Sequence, residues 1–294
     1  MWTEILKAIV YGILEGITEW LPVSSTGHLI LLDELLSLRV APALGETFAQ
    51  EYWKMFEVVI QLGAILAVVV MFFRRLNPFS GSKSAEEKKS TWQLWLRVCV
   101  ASIPAAVLGI FGDKLLFRLT GRDLDGWLYR WGVVAGALIL YGILFLVVEK
   151  LHRGGEEVTR PEGISCRRAM QIGCFQALSI VPGTSRSGST ILGARTLGVS
   201  RSAAAEFSFF MGIPAMLGAS LIRGVGFFRY LSGAGISVPA TAWIVLLTAS
   251  VTAFLVSLAT IRFLMDFVRR HSFAPFGIYR ILLGVAVILW FSVR

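Results

Sequence analysis

The chain has 294 residues, of which 55% are hydrophobic and 16% are charged, and its mean hydropathy is +0.70. Soluble domains average about 25% charged residues, so this balance excludes an ordinary soluble protein and predicts a polytopic membrane protein. The net charge of +9 comes mainly from Lys and Arg in the loops between apolar stretches, which fits cytoplasmic loop bias or attraction to anionic headgroups better than nucleic acid binding.

Six stretches are long and apolar enough to cross a bilayer as helices, which requires about 20 residues each. They are residues 55–73, 94–111, 131–148, 203–222, 243–261 and 275–293. These stretches predict a bundle of six transmembrane helices and no separate soluble domain.

Two further apolar regions, 5–36 and 170–197, are each interrupted by a polar loop, 22–28 and 182–188. Each half of such a region is too short to cross alone. Non-helical backbone at membrane depth is tolerated where it is buried in protein or lines a cavity, so both regions are predicted to be re-entrant helix-loop-helix hairpins. The alternative is two ordinary spans joined by a short surface turn.

The two loops also suggest an internal repeat. Pro22 and Pro182 lie 160 residues apart, and each is followed three residues later by a serine, Ser25 and Ser185. The chain then divides into two similar halves within one all-α membrane domain, 1–294.

Each half, 1–148 and 149–294, contains one hairpin and three spans, and an odd span number inserts the second half upside down. Residues 74–89 and 150–168 carry five Lys or Arg each and are expected on the cytoplasmic side, which places both termini outside. The segment 112–130 falls outside as well, although its four basic residues do not favour that side.

Glu15 and Glu19 are spaced i, i+4, so on a helix they share one face just before the first loop. A carboxylate in hydrocarbon costs roughly 2.5–3.5 kcal/mol, so this pair requires a shared polar cavity, a cation or a protonation role. Both residues are therefore candidate ligands for a divalent cation such as Mg²⁺ or Ca²⁺. The alternative is an interfacial segment in which both are solvated.

The first loop supplies hydroxyl groups and an imidazole. Ser25 and His28 are spaced i, i+3 and can approach each other, and an imidazole or a carboxylate can activate a serine as a nucleophile. Ser24, Thr26 and Gly27 are candidate phosphate-binding neighbours. For Ser24 in particular, capping of the following helix is the favoured interpretation.

The second loop predicts an anion site. Arg186 stands at a helix start, where a guanidinium fork, backbone N–H groups and the helix dipole all favour phosphate oxygens. The alternative is a structural ion pair with Glu19 or Glu206. The candidate phosphate-binding neighbours of Arg186 are Thr184, Ser185, Ser187 and Gly188.

Four more polar residues lie inside spans. Glu57, Gln61 and Glu206 are expected to face the same cavity. Arg280, in the last span, is expected to reach the interface or to pair, and not to take part in catalysis.

These motifs together resemble the undecaprenyl-diphosphatase family, also called bacitracin-resistance proteins. The segments that carry the resemblance are 15–28 (EGITEWLPVSSTGH), 56–63 (FEVVIQLG), 182–188 (PGTSRSG) and 206–209 (EFSF). The resemblance implies an enzyme of the bacterial inner membrane that hydrolyses undecaprenyl diphosphate to undecaprenyl phosphate and phosphate. This reaction recycles the lipid carrier for cell-wall synthesis and confers bacitracin resistance.

The resemblance also implies roles for individual residues. The essential glutamates of the family fall on Glu15 and Glu19, its catalytic serine on Ser25, its threonine on Thr26 and its histidine on His28. The serine and arginine of the second motif fall on Ser185 and Arg186. The implied fold is six spans and two re-entrant hairpins in inverted halves, with a site open to the extracytoplasmic side.

The mechanism expected from these residues is attack by Ser25 on the terminal phosphorus, with Arg186 stabilising the phosphoryl oxygens and His28 or Glu19 as base. The expected partners are the polyprenyl diphosphate and membrane lipids, with a homodimer left open. A flippase or transporter of the lipid carrier is the rival function, because inverted repeats with broken helices are transporter architecture. A phosphatase with two catalytic histidines is disfavoured, because His28 is the one histidine in an apolar region.

Overall fold

The computed structural model describes residues 1–112, 117–118, 128, 130–151 and 157–293. Within these ranges the protein is helical, with one isolated β-bridge, between Val158 and Val199, and no strand. Most of the basic segment 112–130 lies outside the described residues. The helices are α1 (Trp2–Thr18), α2 (Ser25–Leu36), α3 (Gly45–Met71), α4 (Phe73–Leu76), α5 (Ala85–Val107), α6 (Trp131–Leu151), α7 (Cys166–Ala177), α8 (Arg186–Thr196), α9 (Arg201–Ala234), α10 (Ala240–Arg270) and α11 (Ala274–Ser292).

Six helices are long and apolar enough to cross a membrane, and each covers one predicted stretch to within two residues. The prediction of an all-helical protein with six apolar spans is confirmed. Several helices extend well beyond the apolar windows, as in α9, which runs for 34 residues. The candidate spans are Pro42–Met71, Ala85–Gly112, Trp131–Leu151, Arg201–Ala234, Ala240–Arg270 and Ala274–Ser292.

Polar residues set where the spans begin. Ser84 and Glu87 form a capping box at the start of α5: the Ser84 hydroxyl accepts from Glu87 N at 3.2 Å, and the Glu87 carboxylate accepts from Ser84 N at 2.7 Å. Ser200 caps α9 in the same way through the backbone N–H of Ala203. These caps satisfy N–H groups that the first helical turn leaves unpaired.

Four helices are shorter, and they carry the two polar loops at their inner ends. Helices α2, α7 and α8 have 12, 12 and 11 residues. Each is therefore about 18 Å long, roughly half the thickness of a hydrocarbon core. Helix α1 has 17 residues and is followed by a turn before α2 begins.

Each polar loop is supported by a long helix from the other half of the chain. Helix α1 packs against α10, and α7 packs against α5. The contacts are close, since a Cβ at Gly12 would lie 2.5 Å from Ala249 O and a Cβ at Gly173 would lie 2.2 Å from Ala101 O. This interlocking brings the ends of α1 and α7, and therefore both loops, to the centre of the bundle.

Candidate active site

The two polar loops have the same local structure. Ser24 and Ser185 are the N-caps of α2 and α8, with φ of 76° and 70°, and their hydroxyls accept from Gly27 N at 3.3 Å and Gly188 N at 3.0 Å. The predicted capping role of Ser24 is confirmed. The equivalent caps are 161 residues apart, so the register differs by one from the proline spacing of 160.

This register changes which residues correspond. Ser185 matches Ser24, and Arg186 takes the position that Ser25 occupies in the first loop. Alignment of the two loops on Pro22 and Pro182 gave a register that is wrong by one residue. The correct register aligns the short S-x-(S/T)-G pattern that begins at each capping serine. The nucleophile candidate and the anion-binding candidate therefore occupy the same position in their loops, directly after the capping serine.

A hydrogen-bonded chain connects the two loops. Ser25 Oγ donates to Glu19 Oε2 at 2.6 Å, and Arg186 Nη2 donates to Glu19 Oε1 at 3.0 Å. Arg186 Nη1 donates to Ser208 O at 2.7 Å, and the guanidinium lies 6.0 Å from the centroid of a Trp20 ring, within reach of a cation–π contact. Glu19 thus contacts the serine and the arginine at once, and the ion pair anticipated between Arg186 and Glu19 is present.

Glu206 does not join this chain. Its carboxylate accepts from Arg75 Nη1 at 2.5 Å, and it lines a separate cavity. Gln61 does line the cavity that contains Ser25 and Arg186, whereas Glu57 is not among its lining residues. The expectation that the three span residues share one cavity is therefore wrong for Glu206, because Arg75 pairs with its carboxylate at the end of the bundle.

His28 does not contact Ser25. Its Nδ1 lies 2.7 Å from Ser24 O, and its Nε2 lies 2.7 Å from the hydroxyl of Tyr279. Because a carbonyl oxygen only accepts, Nδ1 carries the proton, and in the neutral ring Nε2 accepts from Tyr279. The spacing argument that brought His28 to Ser25 fails because the ring folds back one turn onto Ser24.

Arg280 is fully buried between the two loops. Its Nη1 donates to Pro22 O at 3.0 Å, and its Nη2 donates to Gly183 O at 2.6 Å and Thr184 O at 2.9 Å. Its guanidinium also lies 5.5 Å from the centroid of the Tyr141 ring. Arg280 therefore neither reaches the interface nor pairs with a carboxylate among the described residues. It joins the two loops through their backbones.

Two buried polar side chains lie near this chain without hydrogen-bond partners. Glu15 is fully buried, and neither of its carboxylate oxygens has a partner among the described residues. Gln176, which is 2% exposed and lines the cavity, likewise leaves both amide atoms unpaired. Gln176 stands 161 residues after Glu15, the same offset as the helix caps. Sequence reasoning missed Gln176, although this offset was available to find it.

The cavity between the loops has a volume of about 270 Å³. Of the predicted site residues, those that line it are Glu19, Ser24, Ser25, Thr26, Ser185 and Arg186. Its other side is apolar and includes Ala105 of α5 and Ala215, Met216 and Ala219 of α9. The cavity thus joins a polar end with hydroxyls and a guanidinium to an apolar end formed by spans.

The remaining predicted residues support the loops. Ser187 Oγ donates to Glu19 O at 3.1 Å, and Thr184 Oγ1 donates to Val181 O at 2.7 Å. Gly27 and Gly188 supply the backbone N–H groups that the capping serines accept. Gly188 also lies close to Arg280, because a Cβ there would come within 3.1 Å of Nη1.

Comparison with known proteins identifies the family of the chain. The model of the family described as bacitracin resistance protein BacA matches residues 8–286, which include both loops, the first five spans and most of the sixth. The chain belongs to this family. The family match covers the Ser25, Glu19 and Arg186 chain, both capping serines and the buried Arg280.

Curated relatives in the family share almost half of their residues with this chain. A protein named undecaprenyl-diphosphatase from Streptococcus mutans is 49% identical over 288 residues, covering 98% of this chain and 96% of the relative. Proteins of the same name from Streptococcus thermophilus and Enterococcus faecalis are 48% and 45% identical, covering 99% and 98% of this chain and 94% and 98% of the relatives. The similarity therefore extends over the full length of the fold.

Proposed function

We propose that this chain is a membrane enzyme that hydrolyses undecaprenyl diphosphate to undecaprenyl phosphate and inorganic phosphate, as the names of its relatives state for them. The observation that carries the proposal is the chain from Ser25 through Glu19 to Arg186. It unites a nucleophile, a base and a phosphate-binding cation in a cavity among six apolar helices. Release of the carrier lipid for cell-wall synthesis, and bacitracin resistance, follow from this reaction.

In the proposed mechanism Ser25 Oγ attacks the terminal phosphorus and transfers its proton to Glu19, which already accepts its hydrogen bond at 2.6 Å. The bond from that phosphorus to the bridging oxygen breaks, and undecaprenyl phosphate leaves with the electron pair. Water then hydrolyses the phosphoserine, inorganic phosphate is released, and Ser25 regains its proton. Glu19 is the base in this scheme because it contacts Ser25, whereas His28 contacts Ser24 and Tyr279.

Arg186 supplies the electrostatic stabilisation. Its side chain is 12% exposed and lies at the N-terminus of α8, where the helix dipole also favours an anion. Positioned donors of this kind contribute most of the acceleration in phosphoryl transfer. As the substrate binds, the terminal phosphate replaces part of the Glu19 contact to Arg186 and leaves Glu19 free to accept the serine proton.

The decisive assay measures phosphate release from a C55 diphosphate by the purified chain and by Arg186→Ala. Hydrolysis by the wild type and its loss in the variant are expected. If the wild type releases no phosphate under any cation while it transports the lipid across vesicles, the flippase function takes the place of the enzyme.

We also propose a divalent cation on Glu15, whose two carboxylate oxygens are buried and unpaired, whereas both oxygens of Glu19 are engaged; the described residues contain no cluster of three or more His, Cys, Asp or Glu, so diphosphate oxygens would complete the ligand set. Oxygen ligands of this kind suit Mg²⁺ or Ca²⁺, and such an ion would neutralise diphosphate charge. Glu15 and, after Arg186 turns to phosphate, Glu19 are the residues that would hold it. We expect chelation to lower activity and the Glu15→Gln variant to lose the response to added cation.

The helix-loop-helix units 2–36 and 166–196 are proposed to be re-entrant hairpins in two inverted repeats, 1–148 and 149–294. Three observations support this: the short helices, the equivalent caps at Ser24 and Ser185, and the exchange of supporting helices between the halves. The site would then open to the extracytoplasmic side of the cell membrane. Labelling of intact cells with a membrane-impermeant maleimide tests this orientation in a chain whose three cysteines have been replaced. A cysteine introduced by Ser237→Cys should react in intact cells, whereas one introduced by Gly81→Cys should react only after the cells are permeabilised.

A further inference from the structure

A second cavity lies away from the active site, between the loop that follows α3 and the start of α9. Its volume is about 760 Å³, nearly three times that of the active-site cavity. We name it the basic vestibule after its four cationic lining residues, Arg74, Arg75, Lys83 and Arg160. The hydroxyls that line it are those of Ser80, Ser82, Ser90, Thr91, Thr159 and Ser202.

Most of the charge in the vestibule is internally paired. Arg75 donates to both oxygens of Glu162 at 2.6 Å and to Glu206 at 2.5 Å. Although burial raises the pKa of Glu162, its bonds to Arg75 outweigh this and hold the pKa below its ordinary value, so the carboxylate stays ionised. Lys83 donates to Arg75 O and to Thr91 Oγ1.

Two cations in the vestibule have no salt-bridge partner among the described residues. Arg74 and Arg160 are exposed, and their side chains make no hydrogen bond or salt bridge with the described part of the chain, while the charge of Arg160 also acts on the Glu162 carboxylate. They project from the two most basic loops, 74–89 and 150–168, which converge here. Two exposed guanidiniums beside several hydroxyl groups form a site for an anion rich in oxygen atoms, and phosphate has that chemistry.

The rim of the vestibule identifies the source of the phosphate. Phe79 and Trp92 are 79% and 53% exposed, and their rings meet edge to face at 5.6 Å. They directly neighbour the lining residues Ser80 and Thr91. Aromatic side chains at the ends of spans belong to the membrane interface, where headgroups meet acyl chains.

We propose that the basic vestibule binds the headgroup of an anionic phospholipid, with the phosphate on Arg74 and Arg160 and the acyl chains along Phe79 and Trp92. A lone phosphate ion would fill a small part of 760 Å³ and would gain nothing from the aromatic pair. Basic pockets between spans bind lipid headgroups by this combination of charge and interfacial position. The site is separate from the hydrolysed substrate, so it stands or falls independently of the proposed enzyme activity.

The test is native mass spectrometry of the detergent-solubilised full chain, titrated with phosphatidylglycerol or phosphatidylcholine. We expect the wild type to retain phosphatidylglycerol preferentially and the double variant Arg74→Gln, Arg160→Gln to bind it at least about tenfold more weakly. The matched control is Arg167→Gln, Arg270→Gln, which removes the same charge from exposed positions that do not line the vestibule. This control should bind within about threefold of the wild type. Each arginine that contacts the headgroup is expected to raise the lipid affinity about fivefold, and the two control arginines lie outside the vestibule.

Three results would overturn the assignment: equal retention of the two lipids, unchanged binding in the Arg74 and Arg160 variant, or an equal loss in the control. Millimolar inorganic phosphate is the competitor that separates the two sources of phosphate. Full displacement of the lipid by phosphate would indicate a free-ion site and overturn the lipid proposal. Thermal unfolding in detergent serves as a check that both variants are folded.

Discussion

At the scale of single residues, hydrogen bonds join Ser25, Glu19 and Arg186 into one chain and restrict the rotation of each side chain. Glu19 uses one oxygen for Ser25 and the other for Arg186, so the base, the nucleophile and the cation are fixed relative to each other. Such preorganisation lowers the cost of reaching the transition state, because Ser25 already lies against its proposed base and Arg186 alone must exchange a contact when the substrate arrives. A change in any one of the three should therefore affect the chemical step.

The first prediction compares Ser25 with His28. We expect Ser25→Ala and Glu19→Gln each to lower kcat by roughly 10³-fold or more, since they remove the nucleophile or its base. His28→Gln should lower kcat by about 10²-fold or less, because His28 orients the loop through Ser24 O and does not touch Ser25. Steady-state phosphate release measures the three variants.

A matched control is available in Tyr279→Phe, which removes the hydroxyl that donates to His28 Nε2 and changes little else. Its effect should be no larger than that of His28→Gln. If His28→Gln abolished hydrolysis while Ser25→Ala retained it, the serine mechanism would be wrong and histidine or direct water attack would replace it.

At the scale of the elements, Arg280 is the residue on which the two loops depend. It binds the carbonyl groups of Pro22, Gly183 and Thr184 from α11, so one side chain holds both loops at their backbones. In Arg280→Met these carbonyls lose their partner, which costs about 1–3 kcal/mol for each buried polar group. The free energy lost by leaving these carbonyls unpaired should exceed the desolvation energy regained by removing the buried guanidinium charge, since its three hydrogen bonds already compensate much of that desolvation.

We therefore expect Arg280→Met to lower the unfolding temperature by roughly 5–10 °C and to lower kcat, with little change for Arg269→Met on an exposed site. Thermal unfolding in detergent and phosphate release measure the two effects. A variant that kept both its stability and its kcat would show that the loops hold their geometry without Arg280.

The close approach of α7 to α5 gives a second prediction at this scale. A Cβ at Gly173 would lie 2.2 Å from the backbone oxygen of Ala101, and backbone cannot move aside as a side chain can. Gly173→Ala should cost about 1–3 kcal/mol as overpacking, and the displaced α7 should weaken activity. Gly136→Ala on α6 is the control, because nothing lies within 4 Å of its added Cβ and helix propensity favours alanine. A Gly173→Ala variant as stable as Gly136→Ala would contradict the packing argument.

The sequence predicted the elements better than the contacts between them. The six spans can be predicted from the length of the apolar stretches alone, since each stretch is long enough to cross the hydrocarbon core as a helix. The absence of a contact between His28 and Ser25 was not predictable, because helical spacing permits the contact and the competing bond to Ser24 O forms in three dimensions. The role of Arg280 was hidden as well, since its partners are backbone carbonyls that lie 96 or more residues away and leave no sequence signature.

At the scale of the whole molecule, the site is shared between the two halves. The first half contributes Glu19 and Ser25, and the second contributes Arg186 and Arg280. Helices α6 and α11 also meet symmetrically: a Cβ at Gly142 would lie 2.7 Å from Gly277 O, and one at Gly277 would lie 2.8 Å from Gly142 O. The two loops thus have matched caps but different chemistry, because Ser25 and Arg186 occupy the same position after the capping serine.

The whole bundle must also lead a lipid tail out of the site. Ala105 on α5 and Ala215 and Ala219 on α9 form the small-residue wall of the cavity. Exposed leucines, Leu217 at 51% and Leu221 at 68%, continue on the outer surface of α9. The phosphate end is fixed by Arg186, so the tail is expected to leave between α5 and α9 into the bilayer.

Filling this wall should therefore discriminate by tail length. We expect Ala219→Phe to raise KM for a C55 diphosphate by roughly tenfold while leaving KM for a C15 diphosphate within about threefold, because a short tail ends inside or just beyond the cavity and one to two kcal/mol of apolar contact is at stake. Leu255→Phe adds an aromatic ring at an exposed position of α10 outside the cavity and should leave both KM values unchanged. Equal effects of Ala219→Phe on the two substrates would mean that the ring disturbs the phosphate end, and no effect on either would place the tail elsewhere. Because kcat depends on Glu19, Ser25 and Arg186, it should remain close to the wild-type value in both variants, so that the change in KM reports on the tail alone.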